Sequence, residues 1–259
     1  MIVLNDLYKH RDLLFAWTFR TIRARYQQSI LGGIWAIVQP IAIVIVFTII
    51  FSRFIRVDTG DIPYVVFSYT AMVPWTLFVS SVTDMVDTLV ANMNLVSKIY
   101  FPRDILVIAA MLARLLDFTI ASSILIVLLF VYQMPAFTIS LLYIPLILAI
   151  QLALSLGLGL GGAALNVFFR DIKHLFVLGL QLWLYATPII YPVTLIPERY
   201  HTYYYLNPMA GVIEAYRSVI LHASPPGNYL IISALAAAVV FLSGYWLFKR
   251  VEHKFADVI

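Results

Sequence analysis

Four ionisable residues sit in stretches of this chain that are otherwise apolar, and they are its first candidates for chemistry: Asp84, Asp87, Arg114 and Asp117. Arg114 and Asp117 lie three residues apart, a spacing that puts both side chains on one helical face, where they can pair. An ionisable group inside a hydrocarbon layer is costly, so it marks either a paired site or a function. Two chemistries fit the set: a structural ion-pair cluster joining the segments that carry Asp84 and Arg114, or a proton relay. The relay lacks stepping stones, because the other long apolar runs hold no ionisable residue to continue a path. The expectation is the ion-pair cluster, with Asp84 and Asp87 at the depth that Arg114 reaches.

Other motifs carry less. Gly157, Gly159 and Gly162 formally match G-x-G-x-x-G, but that fingerprint works only between a strand and a helix, and here it lies inside an apolar run. The small residues Ser155, Gly157, Gly159, Gly161 and Gly162 are expected instead to let two helix backbones approach in lipid. No G-x-x-x-x-G-K-[ST] phosphate loop exists, so the chain shows no ATPase of its own. His10, His174, His201, His222 and His253 fall in tails and loops without the spacing of a metal site, and there is no cysteine; no metal is expected. Nothing resembles an activated nucleophile or a paired-carboxylate active site.

The elements that must position these residues follow from composition. Of 259 residues, 63% are hydrophobic and 12% charged, and the mean hydropathy is +0.94. Too little polar surface is available to cover a soluble fold, so the solvent is lipid and the class is an all-α integral membrane protein. Uncharged windows run over 26–52, 62–83, 118–169, 174–197 and 218–247. A span takes ~20 helical residues to cross ~30 Å, and the third window has room for two. Six transmembrane helices are therefore expected near 31–52, 64–90, 106–132, 139–166, 175–191 and 229–247, within one polytopic domain covering 1–259. An even count puts both termini on one side. That side holds twelve of the Lys and Arg residues against four (Arg53, Arg56, Arg199 and Arg217) on the other, the bias expected of a cytoplasmic face rather than of nucleic-acid binding.

Three flanking segments complete the layout. Residues 1–30 are basic, and Phe15, Phe19, Ile22 and Tyr26 share one helical face beside Arg20, Arg23 and Arg25, which reads as an amphipathic interfacial helix; a plain topogenic tail is the alternative. Span 2 continues past Asp84 and Asp87 and should protrude, followed by a short amphipathic segment, 93–104, on the cytoplasmic side. On the outer side, residues 192–228 carry five prolines and several tyrosines, expected to form short re-entrant or interfacial helices. Residues 248–259 form a cytoplasmic tail. Among the aromatics within spans, Tyr69, Trp75, Phe78 and Tyr185 are candidates to line a conduit, where flat rings suit sugar faces. Lipid-facing belts or core are the other reading.

An ordered set of short motifs spans the chain: Arg25-Tyr26 with Ser29, Leu31-Gly32, Trp35, Gln39-Pro40, Tyr100-Phe101-Pro102-Arg103, Asn166 with Arg170-Asp171, Pro188, Tyr191-Pro192, Ile196-Pro197, Leu206-Asn207-Pro208, Arg217 and Phe255-Ala256-Asp257. In these the sequence resembles the membrane permeases of bacterial ABC-type polysaccharide exporters, which move O-antigen or teichoic-acid polymers. The resemblance implies a homodimer in the plasma (inner) membrane, two separate ABC ATPase subunits that hold the ATP and Mg, and a lipid-linked polysaccharide carried on an isoprenoid pyrophosphate. It implies no cofactor in this chain. Under it, Lys98, Tyr100, Phe101, Pro102 and Arg103 form an ATPase-coupling segment. Arg20, Arg23, Arg25 and Tyr26 meet the pyrophosphate headgroup. Two other classes remain at this point: an ABC exporter of drugs or small lipids, and a proton-coupled secondary transporter.

Overall fold

The computed structural model describes residues 10–27, 34–98, 101–135 and 138–256, and within them the chain is all helix and turn. Helix α1 (Arg11–Tyr26) is followed by α2 (Trp35–Phe47), which runs on into a π-helical stretch, Thr48–Phe54. Next come α3 (Tyr64–Ala91), the short α4 (Met93–Lys98) and α5 (Asp104–Val131). A 3-10 turn, Ile139–Tyr143, leads into α6 (Ile144–Phe168), and α7 (Ile172–Tyr185) follows. After two 3-10 turns and the single-turn α8 (His201–Tyr204) lie α9 (Pro208–Ile220) and α10 (Tyr229–Val251), which ends in a 3-10 turn, Glu252–Ala256.

Helix α3 is the axis of the molecule. It is packed by α2, α5, α6, α7 and α9, and Val66, Tyr69, Phe78, Val82, Met85 and Leu89 on it are almost wholly buried. The peripheral helices keep one apolar face open. On α10, Ile231, Leu235, Val239, Leu242 and Trp246 recur every three or four residues and are exposed, a continuous row that only lipid or another protein surface can cover. The opposite face of α10 packs against α6 so closely that a Cβ on Gly244 would strike the Gly157 carbonyl, and one on Gly157 would lie 2.5 Å from the Val240 backbone. The small-residue run in α6 is thus a packing surface, as its position inside an apolar helix implies.

Among the described residues, five helices are long and apolar enough to cross a membrane: Ile37–Phe54, Tyr64–Ala91, Asp104–Val131, Ile139–Phe168 and Tyr229–Phe255. The sequence predicts a sixth over 175–191. In its place α7 stops at Tyr185, and residues 186–190 form turns. Pro188 explains the stop: it cannot donate a helical hydrogen bond, and its ring pushes Thr187 out of the helical region. At 14 residues α7 reaches only about 21 Å, against the ~30 Å of a hydrocarbon core.

The outer-loop region also holds more structure than a loop. Asn207 caps α9 by accepting from the Met209 N–H at 3.1 Å, with Pro208 at the first helical position. The same side chain accepts from Trp183 Nε1 at 2.8 Å and donates to the Ala186 carbonyl at 3.0 Å, so it fastens the start of α9 to the end of α7. Nearly every residue of α9 is buried, against α3, α6 and α10.

Candidate functional site

Where α1 meets α3 and α5, four charged groups close into one cluster. Arg114 on α5 grips Asp84 on α3 through two parallel bonds, Nε to Oδ2 at 2.6 Å and Nη2 to Oδ1 at 2.9 Å, and reaches Asp117 through Nη1 at 3.0 Å. Arg25, at the end of α1, bridges the same two carboxylates at 2.7 Å to Asp84 and 3.1 Å to Asp117. The Tyr26 hydroxyl donates to the other Asp117 oxygen. Burial, and then that carboxylate, push the Tyr26 hydroxyl pKa up from its ordinary value. Two cations against two anions leave the cluster formally neutral, the condition for holding such groups out of water.

Sequence spacing assigns Asp84, Arg114 and Asp117 to one cluster, and the structure brings them together. It separates Asp87, which faces Lys173 at 3.7 Å on a half-exposed surface. Sequence reasoning did not bring Arg25 in. A signal existed: Asp84 and Asp117 against Arg114 alone leave one negative charge over, and Arg25 is the last cation before the first apolar run.

The cluster forms one wall of a cavity of about 310 Å³ between α1, α2, α3 and α5. Trp35, Gln39, Thr76 and Ser80 supply its other polar and aromatic surface. This is a mixed set of donors and acceptors beside an exposed indole, able to meet a hydroxyl-rich or charged group. Arg20 and Arg23 are not part of it. They lie exposed on the outer side of α1 with Phe19, and the Arg20 guanidinium stacks 4.2 Å from the Trp17 ring centroid.

The expected coupling segment is tied to its own chain. Arg103 donates to the Glu252 carbonyl and lies 5.8 Å from the Phe255 ring centroid. Asp104 pairs with Lys249 at 3.0 Å, and Lys249 pairs with Glu252 at 3.0 Å. Phe255 is fully buried between Phe168 and Phe248. Phe101 and Pro102 are partly buried. Tyr100 lies outside the described residues, as do the side chain of Lys98 and residues 28–33, with Ser29, Leu31 and Gly32.

Three of the four conduit aromatics are core residues in this structure. Tyr69 is buried with its hydroxyl on the Ala121 carbonyl at 3.2 Å, and Trp75, Phe78 and Trp183 pack ring on ring. A ring with no open face cannot meet a substrate, so in this arrangement Tyr69, Trp75 and Phe78 are packing. Tyr185 alone of the four is exposed.

A second arginine centre went unseen in the sequence. Arg217, placed by sequence among outer-side charges, is 2% exposed inside α9. It bonds Glu214 at 2.9 Å and the Ile189 carbonyl at 3.0 Å, and its guanidinium lies 3.6 Å from the Phe67 ring centroid. Beside it the Tyr64 hydroxyl donates to the Ile190 carbonyl at 2.7 Å. These bonds satisfy the turn that replaces the end of the expected fifth span.

Residues 12–221 match the ABC-2 type transporter family. The chain is 29% identical over 248 residues to an O-antigen export system permease protein RfbA of Klebsiella pneumoniae, covering 96% of this chain and 95% of that protein. It is 28% identical to an RfbA of Myxococcus xanthus over 99% of both chains. To the polysialic acid transport protein KpsM of Escherichia coli it is 27% identical, over 87% of this chain and 89% of the relative. With a match across most of its length, and five apolar helices long enough to cross a bilayer, the chain is a multi-pass membrane protein and belongs to the ABC-2 type transporter family.

Proposed function

We propose that this chain is the membrane permease subunit of an ATP-driven exporter of lipid-linked polysaccharide, of the O-antigen or teichoic-acid class. The observation that carries this reading is similarity to permeases named for O-antigen export over 95% and 99% of their length. Two copies form the conduit, and two separate ATPase subunits, which bind the ATP and Mg, drive it from the cytoplasm. Both termini are cytoplasmic. Helix α7 serves as the fifth of six membrane passes, its short length completed by the turn at Thr187–Tyr191, and α9 returns into the outer half of the bilayer as a re-entrant helix.

The inner cavity at Arg25, Arg114 and Asp117 receives the pyrophosphate and first sugars. Arginine suits this task because its planar fork binds phosphate oxygens in pairs. Arg20 and Arg23 on the exposed face of α1 draw the anionic headgroup toward the cavity from the membrane surface. Phe101 anchors the ATPase, and Arg103 holds the coupling segment to the C-terminal turn so that motion there reaches α10.

The test is reconstitution of the permease with its ATPase subunits in vesicles. Lipid-linked polysaccharide should stimulate ATP hydrolysis and become accessible on the far side, and Phe101→Ala should lose that stimulation. Stimulation by amphipathic drugs but not by the glycolipid would overturn the substrate, and transport driven by a proton gradient without ATP would overturn the class.

A further inference from the structure

Next to the polar cavity lies a second, mostly apolar one. That second cavity, also about 310 Å³, lies between α3, α5, α9 and the start of α6, and shares Val73 and Phe118 with the first as common walls. The two are successive parts of one seam between antiparallel helices. Along α5 the seam passes from Arg114 through Phe118, Ser122 and Leu125 to Leu129, fifteen residues or about 22 Å of helix. Along α3 it runs the opposite way in sequence, from Ser80 to Thr70. Its first part carries the charged side chains of Arg25, Arg114 and Asp117, and its second carries no charge, with a few hydroxyls among mostly apolar side chains.

We infer that this seam is the binding groove for the isoprenoid chain of the lipid-linked substrate, with the pyrophosphate at the Arg25–Arg114 end and the chain laid along α5 toward Leu129. The inference rests on the functional reading above and adds the place where the lipid part is held. Two observations select this occupant. The groove, a lane between α3 and α5, is charged at one end and mostly apolar beyond, the pattern of an amphiphile whose head and tail bind in line. Its mouth, at exposed Thr119 and Ile126, opens sideways, so a chain can slide in from the bilayer without crossing water.

One further feature distinguishes an unsaturated chain from a saturated one. Tyr216 lines the groove, and its hydroxyl is buried without a hydrogen-bond partner among the described residues. A saturated chain leaves it so, whereas the double bonds of an isoprenoid offer a weak π acceptor.

The experiment uses the permease with its ATPase subunits in lipid nanodiscs and two photoreactive probes. One is an isoprenyl pyrophosphate with a diazirine near the tail end, and the other is phosphatidylglycerol with a diazirine at the same depth. The isoprenyl probe should label Leu125, Leu129 or Ile220 about tenfold more than the diacyl probe. Ser122→Phe, which fills the lane, should cut that labelling about tenfold, the value of roughly two methylene contacts. Tyr216→Phe keeps the ring and removes a buried unpartnered hydroxyl, so it folds even where the bulkier variant does not. It should lower the preference for the isoprenyl probe over its fully hydrogenated analogue about threefold, the scale of one weak hydrogen bond.

Equal labelling by both probes would assign the groove to bulk phospholipid and overturn the inference. Labelling of the Arg114 region with none along Leu125–Leu129 would also overturn it, while leaving the headgroup site and the proposed function standing. No saturable binding of the pyrophosphate probe anywhere would bring down the functional reading along with it.

Discussion

Two arginine centres in one bundle show how surroundings decide what a charge can do. At the α1–α3–α5 junction, Arg25 and Arg114 share Asp84 and Asp117, all four side chains keep 16% to 27% of their surface open, and a cavity lies alongside. In α9, Arg217 is sealed, with one carboxylate, one carbonyl and one ring as its neighbours. The first centre is placed to exchange partners with an incoming anion, because its side chains are partly open and a cavity adjoins them. The second has nothing to exchange. Its partners are a residue one turn away and the backbone of the α7–α9 connection, so it acts as a fastener.

That contrast is best broken at Arg217. Arg217→Met should destabilise the permease by about 3 kcal/mol, because the buried Ile189 carbonyl and the partly buried Glu214 are left unpaired. Thermal unfolding in detergent reads this, and Arg217→Lys should recover only part of the loss, since an ammonium cannot reproduce the fork. Stability unchanged by Arg217→Met would erase the distinction between the two centres.

At the junction the expected effect is smaller and shared. A double-mutant cycle on Asp84→Asn and Arg114→Gln should give a coupling energy of ~0.5 to 3 kcal/mol in unfolding, with the double variant more stable than the sum of the singles implies. The same double variant should still fail in export, which separates the structural role of the cluster from its service to substrate. Export intact in the double variant would reduce the cluster to a fastener like Arg217.

The smallest expected effect is at the exposed face of α1. Arg20→Gln with Arg23→Gln should shift stability by less than ~0.5 kcal/mol, as exposed charges do, and leave insertion intact. Export should fall at low ionic strength, and the difference from the unaltered protein should shrink as salt is raised, because these residues act on the headgroup through a field that salt screens. Export that is unchanged at every salt concentration would return α1 to a topogenic role.

The spans were legible because hydrophobic length is a local property. The expected 64–90 and 106–132 correspond to Tyr64–Ala91 and Asp104–Val131. The end of α7 was not, because an apolar run reads the same whether it continues as helix or breaks into turns, and Pro188 counted as one residue among many. Arg25 sits 59 and 92 residues from its partners, a distance across which spacing carries no information. Arg217 lies in a proline- and tyrosine-rich region where a cation ordinarily means surface. Tyr69, Trp75 and Phe78 show a further limit: residue type says that a ring prefers company, not whether the company is its own core, the lipid or a sugar.

The neutrality of the α1–α3–α5 cluster also bears on how the chain enters the membrane. Each of Asp84, Arg114 and Asp117 opposes insertion of its helix on its own, by up to ~2.5 to 3.5 kcal/mol near the centre of a bilayer. Helices α3 and α5 are therefore better delivered as a hairpin, joined across α4, whose Arg114–Asp84 fork forms before lipid closes around it. One carboxylate's worth of charge then remains until Arg25 arrives. Helix α1, made before α3 and α5, is in this sense the last of the three to be seated, and its docking marks a cluster in which Asp84, Arg114 and Asp117 are matched.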